Sequence, residues 1–119
     1  MKILVTGDRH WTDRDAIAAT LHIYDEVPRP VLIHGACEGA DTIARDIAKS
    51  MGWKVIPYPA HWGILGGAAG PSRNQTMVDQ KPDLVIAFHD DLNGKSRGTA
   101  DCVRKAKVAG IPVVVMTSQ

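Results

Sequence analysis

A chain of 119 residues, 45% of them hydrophobic, can bury one ordinary core without a disulfide or a metal staple. Its formal net charge of +1 argues against a general affinity for a DNA or RNA backbone, which rests on a clear basic excess. No apolar run approaches membrane-spanning length, and the opening Ile3-Leu4-Val5 is too short for a signal peptide. A cytoplasmic location is therefore expected, with Cys37 and Cys102 as reduced thiols.

Strand and helix signals alternate from end to end. Residues 3–6 form a short β-rich opening, followed by Gly7-Asp8-Arg9. Asp13 fits a helix N-cap, and Ile17, Leu21 and Tyr24 recur at helical spacing until Pro28 and Pro30 break the pattern. Residues 31–34 give a second strand that ends at Gly35. Gly39-Ala40-Asp41 opens a second helix, with Ile43, Ile47 and Met51 on one stripe and Gly52 closing it. Residues 53–56 make a third strand. A loop of small residues is expected over 57–72, then a helix over 73–80 entered at Arg73-Asn74. Pro82-Asp83 leads into a fourth strand over 84–88, and a polar loop over 89–97 precedes a helix over 99–109. Gly110-Ile111-Pro112 turns the chain into a last strand over 113–116.

Five largely apolar strands alternating with helices predict an α/β fold: a Rossmann-like three-layer sandwich with a five-stranded parallel sheet. Right-handed crossovers favour strand order 3-2-1-4-5, with every strand buried on both faces and residues 1–119 forming one domain. Ligands of such sheets sit outside the carboxyl ends of the strands, where the strand order reverses. Here that point lies between the first and fourth strands.

The residues after each strand are therefore the candidates. After the second strand, Gly35 and Gly39 allow a tight turn and close backbone approach, and the helix beginning near Asp41 aims its amino end at the same place. The plainer alternative is a turn, with Asp41 as its helix cap. After the fourth strand, Gly98 and Thr99 open another helix whose N–H groups suit a phosphate, and Lys95 and Arg97 add charge or are merely solvated. Arg73 and Asn74 supply a forked cation and an amide. Otherwise Asn74 caps the helix and Arg73 pairs with a carboxylate such as Asp79. Gly7, Asp8 and Arg9 stand at the switch point itself. Trp11, Trp53 and Trp62 read first as packing residues, although Trp62 lies in the long loop, where an indole can cover a base. His10, His34, His61 and His89 end or follow strands without zinc spacing, so neither a metal nor a cofactor is expected.

Together, residues 35–41 (Gly-Ala-Cys-Glu-Gly-Ala-Asp), Ala60-His61-Trp62, residues 69–74 (Ala-Gly-Pro-Ser-Arg-Asn) with Met77, and Gly98-Thr99 resemble the YspA-like branch of the SLOG superfamily. That superfamily also contains DprA and the LOG phosphoribohydrolases, and members of this branch are often small and bacterial or phage-borne. The resemblance implies a Rossmann-like domain that binds a nucleotide or nucleotide-derived ligand through both glycine turns and Arg73-Asn74. It also implies homo-oligomerisation. LOG enzymes carry Arg-Lys-x-x-Met and Gly-Gly-x-Gly-Thr-x-x-Glu; here Arg73 and Met77 match the first, with Asn74 in the lysine place. In the second, Gly98 and Thr99 match, but Cys102 occupies the glutamate position. Asp101 is a carboxylate one residue away, about 100° around a helix.

Two functions follow as expectations. The first is a module that senses or sequesters a nucleotide-derived small molecule, without membrane or nucleic-acid partners. The second is a phosphoribohydrolase or N-glycosidic hydrolase in which Arg73 orients phosphate or sugar. An acidic group among Asp8, Glu38, Asp41 and Asp101 would then assist at the ribose.

Overall fold

The computed structural model describes residues 1–92 and 97–118. Its strands are β1 (Lys2–Gly7), β2 (Val31–His34), β3 (Lys54–Pro57), β4 (Leu84–Phe88) and β5 (Val113–Met116). Its helices are α1 (Arg14–His22), α2 (Ala40–Ser50), α3 (Trp62–Leu65), α4 (Ala69–Asp79) and α5 (Arg97–Val108). All strand pairs are parallel, in the order β3-β2-β1-β4-β5. Leu4 stands beside Ile33 on one flank and Val85 on the other, so β1 is the centre of the sheet.

Alternation along the strands divides the core into two layers. Ile3, Val5, Leu32, Ile86 and Phe88 pack against Ile17 and Leu21 of α1 and Ala44, Ile47 and Ala48 of α2. Leu4, Ile33 and Val85 face the other way, onto Met77 and Val78 of α4 and Cys102 and Ala106 of α5. The expected three-layer sandwich and strand order are thus present.

Burial of every strand on both faces is not. Two helices per face cover the three central strands, leaving Val114 and Val115 of β5 39% and 43% exposed and β3 only half covered.

The stretch over 57–72 differs most from expectation. It holds α3, a 3-10 turn over Gly66–Ala68 and the first turn of α4, which begins four residues before Arg73. Gly70 and Pro71 hid that start. In a first turn, however, the backbone N–H has no intrahelical acceptor, so Pro71 removes nothing there. Arg73 and Asn74 consequently sit in the second turn of α4, not at its amino end. Asp13 caps α1 as expected, accepting the N–H of Ala16 at 3.1 Å. Tyr24 falls beyond that helix but still packs on the core.

Trp11 and Trp53 are buried packing residues, whose indole N–H groups donate to the Asp13 carbonyl at 2.8 Å and to Asp25 Oδ1 at 2.9 Å. Among the described residues, no helix is long and apolar enough to cross a membrane.

Candidate functional site

An open cleft of about 750 Å³ lies at the carboxyl ends of the sheet strands. Its wall takes Gly7, Asp8 and Arg9 from the end of β1, Asp41 from α2, Arg73 and Asn74 from α4, and Gly98, Thr99 and Asp101 from α5. Nine residues singled out from the sequence therefore share one space. Gly35 and Gly39 do not line it, and Glu38 is exposed elsewhere. Gly94 and Lys95 lie outside the described residues.

Each missing glycine has a packing role instead. Gly39 has φ +73°, and a Cβ there would sit 2.5 Å from the Arg9 carbonyl carbon. The α2 start is pressed onto the Asp8–Arg9 backbone, and the Ala40 N–H donates to the Asp8 carbonyl at 3.1 Å. Gly7 permits the same approach from below, since its Cβ would lie 2.6 Å from the Phe88 carbonyl oxygen. Gly35 is overlain by the Arg73 guanidinium, whose central carbon would stand 2.8 Å from an added Cβ.

Asp41 does not cap α2. Its Oδ2 accepts the N–H of Gly35 at 2.9 Å and that of Cys37 at 3.4 Å, folding the turn around a buried carboxyl. Burial pushes its pKa up to about 6, against the downward pull of those N–H groups and of Arg73.

Arg73 and Asn74 act as a clamp across the cleft. Arg73 Nη1 donates to the Gly35 carbonyl and lies 3.6 Å from the Cys37 sulfur, while Nε donates to Asn74 Oδ1 at 2.9 Å. Buried Asn74 in turn donates to the Gly98 carbonyl at 3.1 Å and to Asp101 Oδ2 at 3.0 Å. One pair of neighbours on α4 thus ties the turn after β2 to the start of α5. Asp79 is not the partner of Arg73; it accepts from Gln75.

Asp101 faces the cleft, whereas Cys102, one residue on, is buried in the core with its thiol pushed by burial to about 11. Partial burial opposes ionisation of Asp101. Donors from Lys105, Asn74 and Arg104 outweigh it and hold the carboxyl below its ordinary range.

Two further cleft residues are Trp62, which the sequence offered as a cover for a base, and His89, which it offered only as one of four histidines at strand ends. Trp62 is 60% exposed on the rim, with its indole edge over Gly70 at a distance only glycine allows easily: an added Cβ would meet it at 3.3 Å. His89, immediately after β4, is buried against the cleft floor, and its Nδ1 accepts the Asp91 N–H at 2.9 Å. Position was its only signal, because it is the first residue past the strand beside the switch point. Among the described residues, no group of three His, Cys, Asp or Glu is arranged to hold a metal ion.

Comparison with known proteins places this architecture. The model of the YspA, cpYpsA-related SLOG family matches residues 1–63. The Gene 61 protein of Mycobacterium phage D29 is 41% identical over 123 aligned residues, covering 95% of this chain and 94% of that protein.

The chain belongs to the SLOG family.

The family match spans the turns after β1 and β2, while Arg73, Asn74, Gly98 and Thr99 lie beyond it. Solved structures share the fold at low identity. DNA processing protein A from Streptococcus pneumoniae superposes with a TM-score of 0.74 at 17% identity, over 96% of this chain. The chain spans only 49% of that protein's length. The structural-genomics protein TM1055 gives a TM-score of 0.70 at 16% identity, covering 94% of this chain and 71% of its own.

Proposed function

We propose that this SLOG chain is one nucleotide-binding domain that holds a nucleotide or nucleotide-derived molecule in the cleft, as a sensor or sequestering module. The supporting observation is the Arg73–Asn74 clamp, which joins both glycine-containing turns around a single space. Its volume of about 750 Å³ suits a small ligand, for which pockets run to roughly 300–1,000 Å³. Arg73 spends Nε and Nη1 on the protein, and its Nη2, without a partner among the described residues, is available to an anion in the cleft that Arg97 and the start of α5 also line. Trp62 offers an exposed aromatic face to a base.

The test is thermal unfolding across a nucleotide library. A ligand at a hundred times its Kd adds about 2.7 kcal/mol, a rise of several degrees in a domain this small. Arg73→Ala is expected to abolish that rise measured from its own melting temperature. A flat response across the library would end this reading.

A hydrolytic reading rests on one further observation. Asp41 is a buried carboxyl on the cleft wall, with a pKa pushed up to about 6, and so is able to exchange a proton near neutral pH. Cys102 cannot replace the LOG glutamate from inside the core, and Asp101 is already committed to three donors. Release of free base and ribose phosphate from a nucleoside monophosphate, lost in Asp41→Asn, would establish turnover. Its absence across the common monophosphates leaves binding alone.

A further inference from the structure

On the floor of the cleft between β1 and β4, a ring nitrogen of His89 and a carboxylate oxygen of Asp8 face each other, with no hydrogen bond to either among the described residues. Asp8 is fixed by its backbone: its N–H donates to the Phe88 carbonyl at 2.9 Å, and its carbonyl receives the N–H groups of Trp11 and Ala40, both at 3.1 Å. Its Oδ1 accepts the His10 N–H at 2.8 Å, while Oδ2 receives no hydrogen bond from any described residue. The opposing group is the His89 ring, 6% exposed. Its Nδ1 accepts from the Asp91 backbone, so in the neutral ring the proton sits on Nε2. Nε2 and Asp8 Oδ2 stand 3.9 Å apart, too far for a hydrogen bond to each other.

The gap has a definite chemical complement. An oxygen ~2.8 Å from both atoms would subtend about 90° between them, a workable angle for a hydroxyl. That oxygen must donate to the carboxylate and accept from the imidazole N–H. A hydroxyl does both through its one proton and two lone pairs. An ionised phosphate oxygen has no proton to give and would meet Asp8 charge to charge. An ammonium has no lone pair for Nε2–H. The Asp8 carboxylate therefore disfavours the group that Arg73 and Arg97 attract, which orients any ligand carrying both.

We propose that Asp8 and His89 form a hydroxyl-recognition subsite, which selects a ribose over a deoxygenated sugar in the ligand whose phosphate lies toward Arg73. The inference rests on the nucleotide reading above and adds the sugar to it. The His89 ring supplies the buried, preorganised half and Asp8 the charged half.

The experiment compares melting-temperature titrations of the purified chain with ribonucleoside monophosphates and their 2′-deoxy, 3′-deoxy and 2′,3′-dideoxy forms. Loss of a hydrogen bond to a charged group is expected to weaken the dideoxy form by about tenfold to a hundredfold. One of the two monodeoxy forms should account for that loss. Asp8→Asn keeps an amide oxygen for the His10 N–H, so the turn is retained, but it removes the charged acceptor. In this variant the ribose form should lose its advantage, so that the ratio of ribose to dideoxy affinity falls to about one. Equal affinity of wild type for ribose and dideoxy forms would overturn the subsite and leave nucleotide binding standing. If no monophosphate of any kind raises the melting temperature, the nucleotide reading fails and the subsite falls with it.

Discussion

After β2 the chain places Gly39 before α2, and after β4 it places Gly98 in the first turn of α5. The two turns have similar composition and opposite construction. The first is closed: Gly39 is pressed against Asp8 and Arg9, and the Asp41 carboxyl takes the Gly35 and Cys37 N–H groups that an anion would otherwise use. A carboxylate in a first turn already answers the helix dipole. The second is open. Beyond its chain neighbours and the backbone of its own helix, no described atom would lie within 4 Å of a Cβ on Gly98, and Gly98 and Thr99 both line the cleft. One turn binds its own side chain, and the other presents Gly98 and Thr99 to the cleft.

Breaking the closed turn should have the largest effect. Gly39→Ala forces a Cβ into the Asp8–Arg9 backbone at a φ of +73°. It should cost about 3 kcal/mol or more by urea denaturation, because neither neighbour is the end of a flexible side chain. A loss below about 1 kcal/mol would show that the turn is looser than described.

Removing its internal anion comes next. Asp41→Ala strips an acceptor from the Gly35 and Cys37 N–H groups and should cost about 2–3 kcal/mol. Asp41→Asn retains an acceptor and should cost less, and it exposes a pH dependence that wild type conceals. Burial first, then the positive charges of Arg45, Lys49 and Arg73, lower the His34 pKa to about 4. The unfolded chain therefore takes up that proton more readily, and His34 withdraws stability as pH falls from 6.5 toward 4. Asp41, raised to about 6, does the reverse: its folded form holds the proton, so its contribution is present at low pH and lost as pH rises through 6. Each shift is worth on the order of 3 kcal/mol, with opposite signs across one window. Wild type should be nearly level from pH 4 to 6.5, and Asp41→Asn should lose stability steadily on acidification. Parallel profiles for the two proteins would refute the compensation.

What was legible from the residues alone follows the range of the forces involved. Strand runs such as Leu84–Phe88 and the order of the sheet could be read because an all-apolar strand and a right-handed crossover are local matters. So could the gathering of Asp8, Arg73 and Thr99 at one edge, since strand ends in a parallel sheet share a side. The start of α4 was hidden by Gly70 and Pro71, whose low helix propensity does not matter in a first turn. Exposure of Val114 and Val115 depends on how many helices cover a face, which no strand pattern reports. The duties of Asp41, Asn74 and His89 were out of reach for a different reason. Their decisive partners, Gly35, Asp101 and Asp8, lie from six to eighty-one residues away in sequence, and only a folded chain sets the distances.

The smallest effect carries the sharpest contrast with Gly39. Gly98 lies in a helical first turn without a positive φ and without a described neighbour at its Cβ position. Gly98→Ala should therefore leave the fold intact or stabilise it by about 0.5–1 kcal/mol, since alanine loses less backbone entropy in a helix. If glycine is present so that a ligand can approach the α5 backbone, the same variant should weaken nucleotide binding despite its firmer fold. Unfolding and ligand titration on one preparation separate the two effects. A stabilised variant that also binds nucleotide as tightly as wild type would remove the start of α5 from the site and leave Arg73 as the principal anchor for the anion.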